Sequence, residues 1–224
     1  MAGRVIYKTV TKGLVLYIDA GNPKSYVSGS TIVTDLAGTQ NGTLTNGVGY
    51  SSTASGCFTF DGANDYIDFG INNAIRTASA RTISIWVNIN SGYGYFLSET
   101  NASGYQGAEL WFDTGGFRSV VCGVSTYQVA VNYPVANYNT WHYTTLSWNG
   151  TTLKSYWDGN LIHSYAQTVA NVNNTTHSTK IGCSNYLGGS VFLNGKISQC
   201  KIYNTQLSDA EVLQNYNATK NRYI

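Results

Sequence analysis

Charge is scarce in this chain. Of 224 residues, 13 are Lys or Arg and 11 are Asp or Glu. They stand singly, so there is no basic stripe to track a nucleic-acid backbone. Long apolar runs are missing too, and none approaches the ~20 residues that a membrane-spanning helix requires. Proline occurs only as Pro23 and Pro134, which excludes stiff extended linkers. The histidines, His142, His163 and His177, stand far from any cysteine pair, so no zinc-binding spacing is formed. No Gly-x-Ser-x-Gly elbow occurs, and Gly115-Gly116 and Gly188-Gly189 lack the Lys-Ser/Thr of a phosphate loop. The common signatures of nucleophilic and phosphate-binding sites are therefore absent. Arg4, Lys8 and Lys12 interrupt the apolar part of the first twenty residues. That breaks a signal-peptide core, so synthesis in a cytoplasm without a secretion address is expected.

What is present is a strand-forming pattern. Hydrophobic residues make up 42% of the chain, enough for one packed core of this size. Apolar and polar residues alternate through Leu14–Asp19, Thr82–Ile89, Ser119–Val124, Trp141–Trp148, Leu153–Asp158 and Lys196–Tyr203. Period two turns one face to a core and the other to solvent or a second layer. Asn-Gly at 41–42, 46–47, 149–150 and 194–195 and Asp-Gly at 61–62 and 158–159 punctuate these runs. Both pairs tolerate positive φ and close tight hairpins. Trp148-Asn149-Gly150-Thr151 and Trp157-Asp158-Gly159-Asn160 thus predict two consecutive hairpins, a meander. One helix is signalled near the end. Ser208 and Glu211 have the spacing of a capping box, and Leu207 and Val212 that of a hydrophobic staple. Many short strands, dense turns and one capped helix predict an all-β, two-sheet antiparallel sandwich.

The chain reads as one domain over residues 13–224. Residues 1–12 precede it as an N-terminal arm onto a neighbouring subunit, an edge strand, or a partly ordered terminus. Cys57, Cys122, Cys183 and Cys200 allow three full pairings. Strand-like surroundings, as at Cys57 and Cys200, favour buried free thiols.

Several landmarks follow one another in the order of a known family. They are Gly13-Leu-Val-Leu-Tyr-Ile-Asp19-Ala20, Asp35-Leu36 to Asn41-Gly42-Thr43-Leu44, Phe60-Asp61-Gly62-Ala63-Asn64-Asp65-Tyr66-Ile67 and Thr82-Ile-Ser-Ile-Trp86-Val87. Trp141-His142 with Tyr156-Trp157-Asp158-Gly159 comes next, and a last strand runs into the Leu207-Ser208-Asp-Ala-Glu211-Val212 helix start. Over nearly the whole chain this resembles the laminin G-like jelly-roll domains of the concanavalin A-like lectin/glucanase superfamily. The resemblance implies a concanavalin A-like jelly roll with one short C-terminal helix. It also implies a Cys183–Cys200 bridge, as some relatives staple their last strands, although the lack of a secretion signal argues against one. Relatives that hold Ca²⁺ at the sandwich rim imply Asp19, Asp35, Asn41 and Asp61 as ligands. Set against this, an Asp before Gly, as at 61 and 158, caps its own turn.

The fold alone does not give a function. Sugar recognition needs aromatic faces beside amides and carboxylates, and the stretch from Tyr93 to Tyr138 is rich in both. Asn101, Tyr105, Glu109, Trp111 and Tyr127 are the expected carbohydrate-binding residues. The glucanase branch of the superfamily uses a Glu-x-Asp-x-Glu strand, which Glu109-Leu-Trp111-Phe-Asp113 departs from at two of its three acidic positions. Glu109 and Asp113 are the only carboxylate pair offered for a glycoside hydrolase, and a non-catalytic chain is expected.

The ending Leu207-Ser-x-x-Glu-Val … Asn217-Ala-x-Lys-x-Arg222-Tyr223 is similar to free-standing domains of tailed-phage virion proteins. That implies a virion surface protein, a capsid decoration or tail-associated module. Its partners would be other virion proteins or further copies of itself, with weak binding of host cell-surface glycans and neither nucleic acid nor membrane insertion. A lectin module outside a virion is the alternative.

Overall fold

The structure, a computed structural model, describes residues 7–76, 79–100, 106–122, 137–169, 177–184 and 191–224. In chain order the strands begin with β1 (Leu14–Asp19), β2 (Ile32–Val33), β3 (Gly42–Thr45), β4 (Gly49–Ser51), β5 (Cys57–Asp61), β6 (Tyr66–Asp68) and β7 (Arg81–Ile89). Then come β8 (Gly94–Ser98), β9 (Gly107–Asp113), β10 (Gly116–Cys122), β11 (Trp141–Trp148), β12 (Thr152–Trp157), β13 (Asn160–Ala166), β14 (Lys180–Ile181) and β15 (Asn194–Tyr203). Helix α1 (Asp209–Thr219) closes the order.

The strands form two antiparallel sheets. One runs β13-β12-β11-β7-β15-β5-β4, with β1 also paired to β15, and the other runs β10-β9-β8-β14-β6-β3-β2. The expected meander is present as the β11–β12 and β12–β13 hairpins. Ile83, Ile85, Val87 and Ile89 of β7 meet Leu97, Leu110, Phe112 and Ile181 of the opposite sheet in one core. Burying each such aliphatic side chain contributes about 1.5–3 kcal/mol before entropy is counted.

The alternate residues of β7, which the period would give to solvent, are covered as well. Trp86 is fully buried, with Tyr223 stacked on it at 4.0 Å and Tyr216 at 5.7 Å. Its indole Nε1 donates to Thr219 Oγ1 at 2.8 Å. The C-terminal segment therefore forms a third layer on the outer face of this sheet. Its start is built as the sequence predicts. Ser208 N donates to Glu211 Oε2 at 2.8 Å, Glu211 N donates to Ser208 Oγ at 3.3 Å, and Leu207 and Val212 share a cluster with Tyr156 and Tyr203.

Of the N-terminal arm, residues 7–12 form no strand, and residues 1–6 lie outside the described residues. Residues 7–12 lie against α1, where Val10 N donates to Asn215 Oδ1 at 2.8 Å and Tyr203 Oη donates to Val10 O at 3.1 Å. All four cysteines are buried and unpaired, so the Cys183–Cys200 bridge is not formed. Among the described residues no helix is long and apolar enough to cross a membrane.

The sequence landmarks prove to be turn-building devices. Asp65 Oδ2 accepts from Asp61 N at 3.1 Å, and Asp61 Oδ1 accepts from Ala63 N at 2.7 Å. Asp158, at φ 50°, accepts Tyr143 N at 2.8 Å and bonds His142 Nδ1 at 2.9 Å. Such local side-chain to backbone bonds fix loops and carry no chemistry by themselves.

Candidate functional site

The outer face of β8, β9 and β10 carries the strongest concentration of recognition groups. Register sets it up. Tyr95 pairs with Trp111 and Trp111 with Arg118, while Ser98 pairs with Glu109 and Glu109 with Val120. Directly paired residues of an antiparallel sheet project to the same side. The Tyr95 and Trp111 rings stack at 5.5 Å and 20°, and Val120, Cys122 and Val191 pack with them. Trp111 is only 3% exposed. It is a floor to this face.

The exposed ring is Tyr93, at 42%. It meets Tyr95 edge-on at 5.6 Å, and its hydroxyl donates to the Tyr95 hydroxyl at 3.1 Å. Partial burial raises the Tyr93 phenol, with repulsion from Glu109 and Asp113 adding and Arg118 offsetting. A second exposed ring, Tyr138, stands edge-on to Phe112 at 6.1 Å. Phe112 pairs with Gly94, so both tyrosines lie toward one end of β8 and β9.

At that end Asp113 opens the β9–β10 turn by accepting Gly115 N at 2.7 Å. Its carboxylate also accepts Arg118 Nε at 3.0 and 3.2 Å and Trp111 Nε1 at 3.3 Å. Arg118 and Asp113 are 19% and 26% exposed as side chains. The pair is a partly solvated hydrogen-bonding group beside an exposed aromatic ring.

Glu109 lies two residues before Trp111 on the same face and is buried. Ser98 Oγ and Thr100 Oγ1 donate to its Oε1 at 2.8 and 2.7 Å. Burial pushes its carboxyl up to about 7, with the two hydroxyl bonds opposing and the Glu99 charge adding. Glu99 itself is held by Arg81 at 2.6 Å in an ion pair with no solvent exposure.

Both side chains of the Glu109–Asp113 pair are engaged. They are tied down at opposite ends of Trp111, by Ser98 and Thr100 on one side and Arg118 on the other.

Of the expected carbohydrate-binding residues, Glu109 and Trp111 share this face but are both buried. Asn101, Tyr105 and Tyr127 lie outside the described residues. The Asp113–Arg118 pair was not among the expected residues, although its signal is in the sequence, as opposite charges flanking a Gly-Gly turn.

The expected calcium ligands do not converge. Asp19 accepts from Gly21 N, Tyr17 Oη, Gln199 Nε2 and Arg222 Nη1. Asp35 accepts from the backbone N–H groups of Tyr17, Ala37, Gly38 and Gln40. Asn41 Oδ1 is taken by Asp35 N. Asp61 caps its own turn beside a polar groove of about 380 Å³ that Asp65, Asn90 and Asn194 also line. Among the described residues no group of three or more His, Cys, Asp or Glu gathers. Oxygens already filled by N–H donors do not fit a cation that asks for 6–8 oxygen ligands.

Comparison with known proteins gives the family and the fold. The family model described as concanavalin A-like lectin/glucanases superfamily matches residues 61–213. No curated protein matches in sequence. Among solved structures, the receptor binding domain of botulinum neurotoxin C/D mosaic serotype is similar at TM-score 0.71 and 17% identity, over 93% of this chain and 52% of that one. The chain thus spans about half the length of that toxin domain. Domain 4 of AbnA, a GH43 extracellular arabinanase from Geobacillus stearothermophilus in complex with arabinotriose, is similar at TM-score 0.72 and 14% identity, over 91% of this chain and 98% of that one. Trypanosoma rangeli sialidase in complex with sialic acid is similar at TM-score 0.69 and 13% identity, over 94% of this chain but 34% of that one. At these identities the likeness is one of fold.

Proposed function

Because the chain belongs to the concanavalin A-like lectin/glucanases superfamily, we propose that it is a non-catalytic carbohydrate-binding module. Sugars would dock at the Tyr93 end of the β8–β9–β10 face. One observation carries this reading: an exposed Tyr93 ring is braced by the Tyr95–Trp111 stack beside the partly solvated Asp113–Arg118 pair. A flat ring takes the C–H face of a pyranose, and a fixed carboxylate and guanidinium take hydroxyls at its edge. Asp113 and Arg118 sit on paired strands and Tyr93 directly precedes β8, braced by Tyr95, so little ordering is left to occur on binding. The arabinotriose complex of a similarly folded domain, which this chain matches over almost that domain's whole length, supports the reading. Glu109 is buried under two hydroxyl donors and Asp113 is held by Arg118, which favours the non-catalytic reading.

The virion setting implied by the C-terminal ending has no support in the described geometry, where those residues serve the fold. Ser208 and Glu211 cap α1, and Tyr223 stacks on Trp86.

A glycan array probed with the whole chain and with Tyr93→Ala tests the reading. Specific binding that the variant loses, with its thermal stability unchanged, is the expected result. No binding to any glycan, or binding indifferent to Tyr93, refutes it.

A further inference from the structure

The donor and acceptor balance at the open end of the face is uneven. The Asp113 carboxylate accepts from Gly115 N, Trp111 Nε1 and Arg118 Nε. Its charge is met by fixed donors on three sides. Arg118 is less fully used. Each of its hydrogen bonds among the described residues leaves from Nε, to one oxygen or the other of Asp113. Guanidinium presents five N–H donors in a planar fork. With Nε committed, the edge formed by Nη1 and Nη2 has no partner among the described residues, on a side chain that is 19% exposed.

Orientation follows from the register. Arg118 pairs with Trp111, and Asp113 lies diagonally across the turn from it. Asp113 holds the guanidinium through Nε and keeps it on the outer face, beside the ring that carries Tyr95 and Tyr93. A guanidinium restrained on one edge loses little further freedom when its other edge binds. The ligand group that fits two parallel N–H donors is a planar anion with two oxygens, which is a carboxylate.

We propose that the sugar this site takes is carboxylated. The carboxylate of a uronate or sialate residue would bridge Nη1 and Nη2 of Arg118 while its ring lies on Tyr93. This rests on the carbohydrate-binding reading above and adds the ligand class to it. Buried Glu109 sits beyond Trp111 on the same face, away from the Arg118 end. The anionic group nearest the ligand carboxylate is therefore Asp113, which accepts from two neutral N–H donors and shares the Arg118 charge.

The test is titration calorimetry of the whole chain with trigalacturonate and sialyllactose, against galactotriose and lactose as neutral counterparts, at one fixed salt concentration. The expected preference for a carboxylated sugar is about tenfold or more, equivalent to about 1.4 kcal/mol. Whether trigalacturonate or sialyllactose shows it identifies the source of the carboxylate. Arg118→Gln should erase the preference, so that acidic sugars bind no more tightly than their neutral counterparts in the same variant. Arg118→Lys, which keeps the charge but not the fork, should recover only part of it.

Equal affinity for acidic and neutral sugars overturns this inference and leaves the carbohydrate-binding reading standing. A preference that survives in Arg118→Gln also overturns it. Failure of all four sugars to bind overturns the inference together with the reading beneath it.

Discussion

Arg222 closes the fold on Asp19. Its Nη1 lies 2.8 and 2.9 Å from the two Asp19 carboxylate oxygens, across 203 residues of sequence. Its other nitrogens bond the backbone carbonyls of Ala54 at 2.7 Å and Gly56 at 3.1 Å. The next residue, Tyr223, lies on Trp86. One ion pair thus pins the C-terminal layer over the outer face of the β7 sheet, and several stability effects follow from what that layer covers.

Removing the clamp leaves Asp19 largely buried with its strongest donor gone. Arg222→Ala should cost about 3 kcal/mol, because breaking a buried pair strands the partner's charge. For a chain of this size that lowers Tm by roughly 6–12 °C. Calorimetry checks it, and a loss under about 1 kcal/mol, the range of a surface ion pair, would show that the tail is held by its aromatic contacts alone.

Glu109 should make stability depend on pH. Its folded carboxyl is held at about 7 against an ordinary 4.5, chiefly by burial. A raised folded value favours the protonated form. Its contribution is complete below the unfolded value and drains away as pH rises through the folded one. Between about pH 5 and about pH 8 this group should therefore cost the wild type about 2–3 kcal/mol. Glu109→Gln retains an acceptor for Ser98 and Thr100 and should lack that slope. Urea denaturation at both pH values decides it, with parallel slopes counting against the assignment.

Lys201 is a buried cation that feels both members of the Asp19–Arg222 pair. Its Nζ donates to Gln199 Oε1 at 3.0 Å and lies 4.4 Å from the Tyr17 ring centroid. Burial pulls the amine down to about 8 from 10.5. The folded state thus disfavours the charged form. The penalty is complete below the folded value and fades as pH climbs toward the unfolded one. Lys201→Met should equal or exceed wild-type stability near neutral pH, by up to about 2 kcal/mol after the lost contacts are counted. The advantage should shrink by about pH 10. A variant that is strongly destabilised at neutral pH would mean that the Gln199 and Tyr17 contacts outweigh burial.

Calcium should not matter to the fold. Asp19 and Asp35 have their oxygens filled by nitrogen donors, so adding Ca²⁺ or EDTA should leave Tm within about 1 °C. A bound ion at a hundred times its Kd would add about 2.7 kcal/mol. A calcium-dependent rise of several degrees would contradict the arrangement described at these residues.

The sequence made visible what is built locally. The Ser208–Glu211 box, the Asp61–Asp65 turn and the hairpin at Asp158-Gly159 each span a few residues, so spacing alone identifies them. What it hid depends on partners far along the chain. Period two turns Lys201 and Trp86 away from the core but cannot tell that residues distant in sequence will cover them. That Trp111 is covered cannot be read from its own strand, because register is set by the partner strand. It is Tyr95 on β8 that lands on it. Arg118 could have been found, since a hairpin through Gly115-Gly116 brings it diagonally to Asp113.

The central claim is that sugars bind at the Tyr93 end of the β8–β9–β10 face. The most direct measurement is a ¹H–¹⁵N spectrum of the tryptophan indoles during titration with a glycan the chain binds. Trp111 Nε1 donates to Asp113 within the site, whereas Trp86 Nε1 donates to Thr219 and Trp148 Nε1 to Gln167 O, away from it. The Trp111 indole resonance should move with saturation while those of Trp86 and Trp148 stay fixed. A shift confined to Trp86 or Trp148, with Trp111 unmoved, would place the site on another face and contradict the claim.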